Sequence, residues 1–274
     1  MEEEYGFGLI PSPPDIRDYT LSAGVTKEKL PETFINDSVK IKNQGSRSTC
    51  VAHSLSSLVE FHNLQETKSY DEFSTEFIYG CRTLDDYLGE GMYLRDGLKV
   101  IQKYGDVKYS VLPGNSIMNI ARNKVIEKFD ELVKEAYPYR ISTYYKINSL
   151  DELKYSLYHN GPVPGAMKYY KKGKVGSDGV YNYDTNGTYG NHAVLIVGWN
   201  KDGFIIQNSW GILWGKKGYF IVKYEDMDTL FYEYYGVTDN IKEGEIKKPN
   251  HFIVIISPII NWILKFFAPK FDSK

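Results

Sequence analysis

Cysteine is nearly absent from this chain. Cys50 and Cys81 are the only two among 274 residues, enough for one disulfide at most, so a miniprotein held together by bridges is excluded. A secreted protein of this length more often carries several, and a reducing compartment is expected. An excess of either charge is also missing. Thirty-three basic against 35 acidic residues leave a net of −2 with no concentrated basic stripe, which removes the electrostatic support for nucleic-acid binding. The opening Met1-Glu2-Glu3-Glu4-Tyr5 has neither the basic region nor the apolar run of a signal peptide. The expected location is therefore intracellular, in a cytoplasm. Histidine is sparse too: five scattered residues and two cysteines give a zinc site poor support, and no metal is expected. No internal repeat is visible. What the chain does have is 42% apolar residues, which at this length bury a substantial core and exclude disorder.

Three regions follow from the pattern. Residues 1–30 hold Pro11, Pro13 and Pro14 without apolar periodicity and read as an extended arm. Residues 31–240 have the density of alternating elements of a folded domain. Residues 241–274 begin with a polar linker and continue into a strongly apolar segment, 252–268; this region carries net +3 and leaves −5 for the rest.

Within the domain the first half is helical in period. Val51, Leu55, Leu58 and His62 share one face, and Ser48 or Thr49 can cap, so a helix is predicted from about Cys50. Leu94, Leu98 and Ile101 predict a second, stopped by Gly105. A third, over 125–136, is closed by Pro138. Ser149 with Glu152 forms a capping box for a fourth, ended by Asn160-Gly161-Pro162. Then the period changes. Residues 193–199, 204–207 and 219–224 are short runs rich in Val, Ile, Tyr and Phe, the first two joined by an Asp202-Gly203 turn. Helices first and antiparallel strands second predict an α+β chain with two lobes.

Three motifs carry chemistry: Gln44-Gly45-Ser46-Arg47-Ser48-Thr49-Cys50, then Gly190-Asn191-His192-Ala193-Val194, then Gln207-Asn208-Ser209-Trp210-Gly211 leading to Trp214-Gly215 and Gly218-Tyr219. His192 follows Cys50 by 142 residues and Asn208 follows it by 158. Together they resemble the papain-like cysteine peptidases, cathepsin- and xylellain-like members included, over about residues 31–240. The resemblance implies a two-lobed fold, a helical lobe followed by a β-rich lobe, with the active site in the groove between them.

The residue types suit that chemistry. A thiol at a helix N-terminus beside an imidazole is expected to have a lowered pKa and to ionise. Cys50 would be the nucleophile and His192 its partner and the acid for the leaving amine. Asn208 would hold the imidazole ring, and the Gln44 amide with the Cys50 backbone N–H would receive the oxyanion. Trp210 would shield the Asn–His contact. The resemblance further places substrate along Gly91, Met92, Tyr93, Ala166, Gly190, Asn191 and Trp210. Most of these are small or apolar, so an apolar side chain is expected two residues before the scissile bond.

Departures from the family are clear. Arg47, Ser48 and Thr49 stand where a disulfide cysteine and Gly-Ser are common, Val51 replaces a Trp, and His53 replaces an aromatic. These changes leave all four catalytic groups in place and are expected to reshape the cleft on the leaving-group side. Cys81 is expected to be a buried small hydrophobe, and His62, His159 and His251 surface or packing residues. The 24 tyrosines suggest half-buried strands and no cofactor.

The resulting expectation is a cysteine endopeptidase acting on peptides or proteins through a Cys50–His192 pair and a thioester, with no cofactor. A catalytically impaired peptide-binding relative and a thioester acyl-transferase remain as alternatives. The Pro-Ser-Pro-Pro-Asp-Ile-Arg-Asp-Tyr arm resembles the short leader of xylellain-like members, and residues 1–30 are expected to pack across or beside the cleft. Residues 252–268 would rise about 25 Å as a helix, short of the ~30 Å apolar core of a bilayer, and are broken by Pro258, Asn261 and Lys265. Flanking lysines make membrane attachment, with the enzyme facing the cytoplasm, the expectation for this tail.

Overall fold

The structure is a computed structural model and describes residues 5–15, 29–82, 90–114, 125 and 127–239. The apolar segment 252–268 and His251 lie outside the described residues, as does much of the arm. Among the described residues no helix is long and apolar enough to cross a membrane.

The helices come mainly from the first half. They are α1 (Cys50–Thr67), α2 (Thr75–Gly80), α3 (Leu94–Lys103), α4 (Phe129–Ala136), α5 (Leu150–Asn160) and a single turn α6 (Met227–Leu230). The strands are β1 (Leu9–Ile10), β2 (Phe34–Ile35), β3 (Met92–Tyr93), β4 (Thr143–Lys146), β5 (Val163–Tyr170), β6 (Lys174–Val175), β7 (Tyr181–Asn182), β8 (Tyr189–Trp199), β9 (Phe204–Gln207), β10 (Tyr219–Val222) and β11 (Phe231–Thr238). Seven form one antiparallel sheet in the order β10-β9-β8-β5-β11-β4, with β2 also paired to β8. The four predicted helices and three predicted strands are all present. The capping box forms on one side: Ser149 Oγ accepts from the Glu152 amide at 3.2 Å, while Glu152 reaches the amide of Asn148 rather than that of Ser149.

Strand β8 organises the core because its side chains alternate. Ala193, Leu195 and Val197 face a cluster built from α1, α2 and α3, whereas Val194 and Ile196 face a second cluster built from the β-rich half. Burial on both faces makes the run continuously apolar. Helix α1 docks on this strand: Ser54 Oγ donates to the Val194 carbonyl at 2.9 Å. Since Ser54 is one turn after Cys50, the start of α1 is fixed opposite the middle of β8.

Helix α1 is buried from Cys50 through Asn63, so its polar groups need partners inside the protein. Glu60 is the clearest case. Its carboxylate takes the Lys42 ammonium at 2.6 Å, the Tyr70 hydroxyl at 3.0 Å and the Phe73 amide at 2.9 Å. Burial raises the Glu60 pKa against the opposing pull of Lys42.

Strand β5 was not marked by the sequence pattern. Pro164 and Gly165 fall inside it, which interrupts the strand signal, yet it pairs with β8 over eight positions and is almost wholly buried. Cys81, expected to be buried, is half-buried instead, against the helical cluster. The end of α2 places it at the edge of that cluster rather than inside it. His62 is buried near Asp239 at 3.9 Å, and His159 is exposed.

Candidate active site

Cys50 is the first residue of α1 and fully buried. Thr49 occupies the N-cap but makes no side-chain capping bond. Amides of Ala193, Gly8 and Val51 favour the thiolate, but burial outweighs them and pushes the thiol up to about 11. The lowering expected from the helix terminus is therefore overturned in this state. Arm residues cover the sulfur, Gly8 among them.

His192, on β8, is held by Asn208, with Nε2 to Oδ1 at 2.8 Å. Burial pushes its pKa down to about 4 although the Asn208 contact favours the charged ring. A neutral ring donates from Nε2 to the Asn208 carbonyl oxygen, leaving Nδ1 with a lone pair; Nδ1 has no hydrogen-bond partner among the described residues. Trp210 stacks on the imidazole at 4.6 Å and 23°, so the Asn208–His192 bond is covered by an indole. Asn208 Oδ1 also accepts the Ser209 amide at 2.8 Å, which fixes the side chain.

Gln44 is buried and locked from both ends. Its Oε1 accepts from the Ser209 hydroxyl at 2.6 Å, and its amide nitrogen donates to the Arg47 carbonyl at 2.7 Å and the Gly6 carbonyl at 3.1 Å. The Ser209 contact was missed in the sequence, where Ser209 reads only as a motif residue between Asn208 and Trp210.

The described arm residues run through the groove. Tyr5 stacks on Trp210 at 4.7 Å, and Phe7 meets His192 and Trp210 edge-on at 5.8 Å. The Gly6 amide donates to the Gly45 carbonyl at 3.1 Å, and the Gly8 carbonyl accepts from the Met92 amide at 2.8 Å. Strand β1 then pairs in parallel with β3, Leu9 opposite Met92 and Ile10 opposite Tyr93. Glycine is required at two arm positions. A Cβ on Gly6 would stand 2.2 Å from the Arg47 carbonyl oxygen, and one on Gly8 would stand 2.0 Å from that of Ser48. Farther along, Ser12 donates to Glu233 through its hydroxyl at 3.2 Å, and Arg95 reaches the Pro13 carbonyl at 2.6 Å.

Of the residues the resemblance assigned to substrate, Gly91, Met92, Tyr93, Gly190 and Trp210 all line the path of the arm. A Cβ on Gly91 would meet the Gly8 carbonyl oxygen at 2.7 Å, and one on Gly190 would meet the Phe7 ring at 2.5 Å. Ala166 lies in the same apolar cluster as Leu9 and Met92. Asn191 pairs with Lys168 on the neighbouring strand. His53 turns its Nδ1 to the Thr49 carbonyl at 2.9 Å and borders an open cavity of about 520 Å³ that also touches Gln44, Gly45 and Tyr70. Among the described residues no group of three or more His, Cys, Asp or Glu side chains stands close enough to hold a metal ion.

A thiol at a helix start, an imidazole tied to an amide and a side-chain amide fixed beside them, set between two core clusters, define the papain-like class. Residues 34–239 match the papain family of cysteine proteases, and the chain belongs to that family. Xylellain, a cysteine protease from Xylella fastidiosa, shares the fold with a TM-score of 0.72 and 27% identity, over 86% of this chain and 97% of that one. The proCathepsin B S9 of Trypanosoma congolense shares it at a TM-score of 0.65 and 17% identity, over 86% of each chain. Cathepsin B-like cysteine proteinase 3 of Caenorhabditis elegans is 36% identical over 92 residues, which span 32% of this chain and 24% of that relative.

Proposed function

We propose that this chain is a cysteine endopeptidase that forms a thioester at Cys50, and that its own N-terminal arm restrains it. The observation that carries the reading is the Gly6 carbonyl on the Gln44 amide, 3.1 Å away: a peptide carbonyl already occupies the donor we assign to the oxyanion. With the arm withdrawn and a substrate in its place, the Cys50 sulfur attacks the scissile carbonyl carbon. The oxyanion is received by Gln44 Nε2 and the Cys50 backbone N–H. His192 takes the thiol proton and gives it to the departing amine as the C–N bond breaks, and Asn208 keeps the ring in place. Water then adds to the thioester, His192 removes its proton, and the acid product leaves with the thiol restored.

The arm does not present itself for this attack. From the arm, the Gly8 amide hydrogen-bonds the sulfur. Leu9, buried beside Met92 in the cluster that includes Ala166, fills the pocket we assign to an apolar substrate side chain. The test is incubation of the full-length chain, its Phe7→Ala variant and its Cys50→Ala variant with a fluorogenic peptide and a thiol-reactive epoxide. Turnover and labelling at Cys50, both faster in Phe7→Ala and absent in Cys50→Ala, support the reading. Labelling at Cys81 alone with no turnover overturns it.

A further inference from the structure

Resting on the peptidase reading, we propose that Glu90 selects a lysine or arginine side chain on the residue that contributes the scissile carbonyl. The argument begins with place. His192 must stand over the leaving amine, so the acyl portion of a substrate runs the other way, from Cys50 toward β3, where Gly8 and Leu9 now pair with Met92. Between these two landmarks the Ser48 hydroxyl donates to Glu90 Oε2 at 2.6 Å, next to the Gly91 carbonyl that accepts from Arg82 at 3.1 Å. Ser48 is two residues before the nucleophile, and Glu90 immediately precedes Gly91. A side chain on the acyl residue next to the attacked carbon must therefore pass this pair.

The chemistry of the pair then decides what it takes. Ser48 is buried and holds the carboxylate in one orientation, while Glu90 itself remains exposed with the arm in place. No ion pair to Glu90 forms among the described residues, in contrast to the carboxylates of Glu60 and Glu76, which are met by Lys42 and Arg47. The described arm residues that cross this place, Gly6 to Ile10, contain no cation. The described arm residues therefore bring no cation to Glu90, and glycine at position 8 leaves the space over Ser48 without a side chain. An oriented carboxylate with no ion-pair partner among the described residues favours an ammonium or guanidinium and repels a carboxylate. Because the carboxylate is exposed, the preference is moderate and weakens with salt.

The experiment compares fluorogenic peptides that differ only at that acyl residue, carrying arginine, norleucine or glutamate. The full-length chain bearing Phe7→Ala is assayed with Glu90 intact and as Glu90→Gln and Glu90→Asp. We expect kcat/KM for arginine to exceed that for norleucine by at least fivefold with Glu90. The ratio should fall toward one in Glu90→Gln, stay above one in Glu90→Asp, and shrink at high salt in the intact chain. A relative gain for the glutamate peptide in Glu90→Gln completes the pattern. Cleavage of norleucine and arginine peptides at equal rates, or a ratio indifferent to Glu90→Gln, overturns the inference and leaves the peptidase reading standing. Absence of cleavage and of Cys50 labelling with every peptide overturns both.

Discussion

Gln44 holds the carbonyl oxygen of Gly6 at 3.1 Å while the Ser209 hydroxyl holds Gln44 from behind at 2.6 Å. One polar relay thus runs from the motif that carries Asn208 to the first residues of the arm. The donor proposed for the oxyanion is already engaged, and the arm must leave before a substrate can use it. The same passage of chain covers Cys50 and His192, which accounts for the neutral state that burial imposes on both.

Steric exclusion at Gly8 makes the arm separable from the enzyme by a single methyl. Gly8→Ala should expel it, since the added carbon would lie 2.0 Å from the Ser48 carbonyl oxygen. Epoxide labelling of Cys50 is expected to accelerate at least tenfold, with an unchanged circular dichroism spectrum. A labelling rate equal to that of the parent chain would count against occlusion by the arm.

Docking of the arm should be tightest near neutral pH. Covered His192 resists protonation down to about 4, against an ordinary 6.5, so acidification through that window protonates the open form first and favours release. At the other end, covered Cys50 ionises only near about 11 against an ordinary 9.0, so alkali above about 9 also favours release. Protection of the Met92 amide, which donates to Gly8, should be maximal between these limits when exchange is corrected for its intrinsic rate. Protection that rises steadily on acidification would contradict the linkage.

The Gln44 side chain and its support can be told apart. Gln44→Ala should raise the barrier by about 2.7–4 kcal/mol through loss of an oxyanion donor. Ser209→Ala removes only the group that orients Gln44, so we expect a smaller fall, confined to kcat and partly restored by Ser209→Thr. Steady-state kinetics on the Phe7→Ala background measure both. A change in KM alone would assign Ser209 to substrate contact instead.

Glu60 tests the scaffold rather than the chemistry. Its removal leaves the Lys42 ammonium, 9% exposed, with the more distant Glu72 carboxylate, 3.9 Å away, as its remaining ion-pair partner among the described residues. Glu60→Ala should cost about 3–5 kcal/mol, and adding Lys42→Met should recover much of it because the poorly compensated buried charge is gone. Chemical denaturation of the four chains of this cycle gives the coupling, and additive losses would mean that the pair is not coupled.

Much of the fold was legible because local rules and tertiary structure agree. The apolar face of α1, the capping box at Ser149 and the Val- and Ile-rich run of β8 each point to the element that forms. Strand β5 escaped because Pro164 and Gly165 obscure a strand whose stability comes from its neighbours on both sides. The residues of the site were legible for another reason: Gln44, Cys50, His192 and Asn208 sit inside contiguous motifs with spacing that a family resemblance recognises.

Which groups could perform the chemistry is written in the chain, because residue type and motif are local properties. Their present state is set by packing. Whether a thiol at a helix start is ionised depends on what covers it, and here burial beneath Tyr5 to Leu9 outweighs the backbone amides that would stabilise its charge. The partnership of Gln44 with Ser209, 165 positions apart, and of Ser48 with Glu90, 42 apart, likewise has no local signature. Such contacts arise where the segments after β9 and before β3 meet the stretch leading into α1, and only the packed chain brings them within hydrogen-bonding distance.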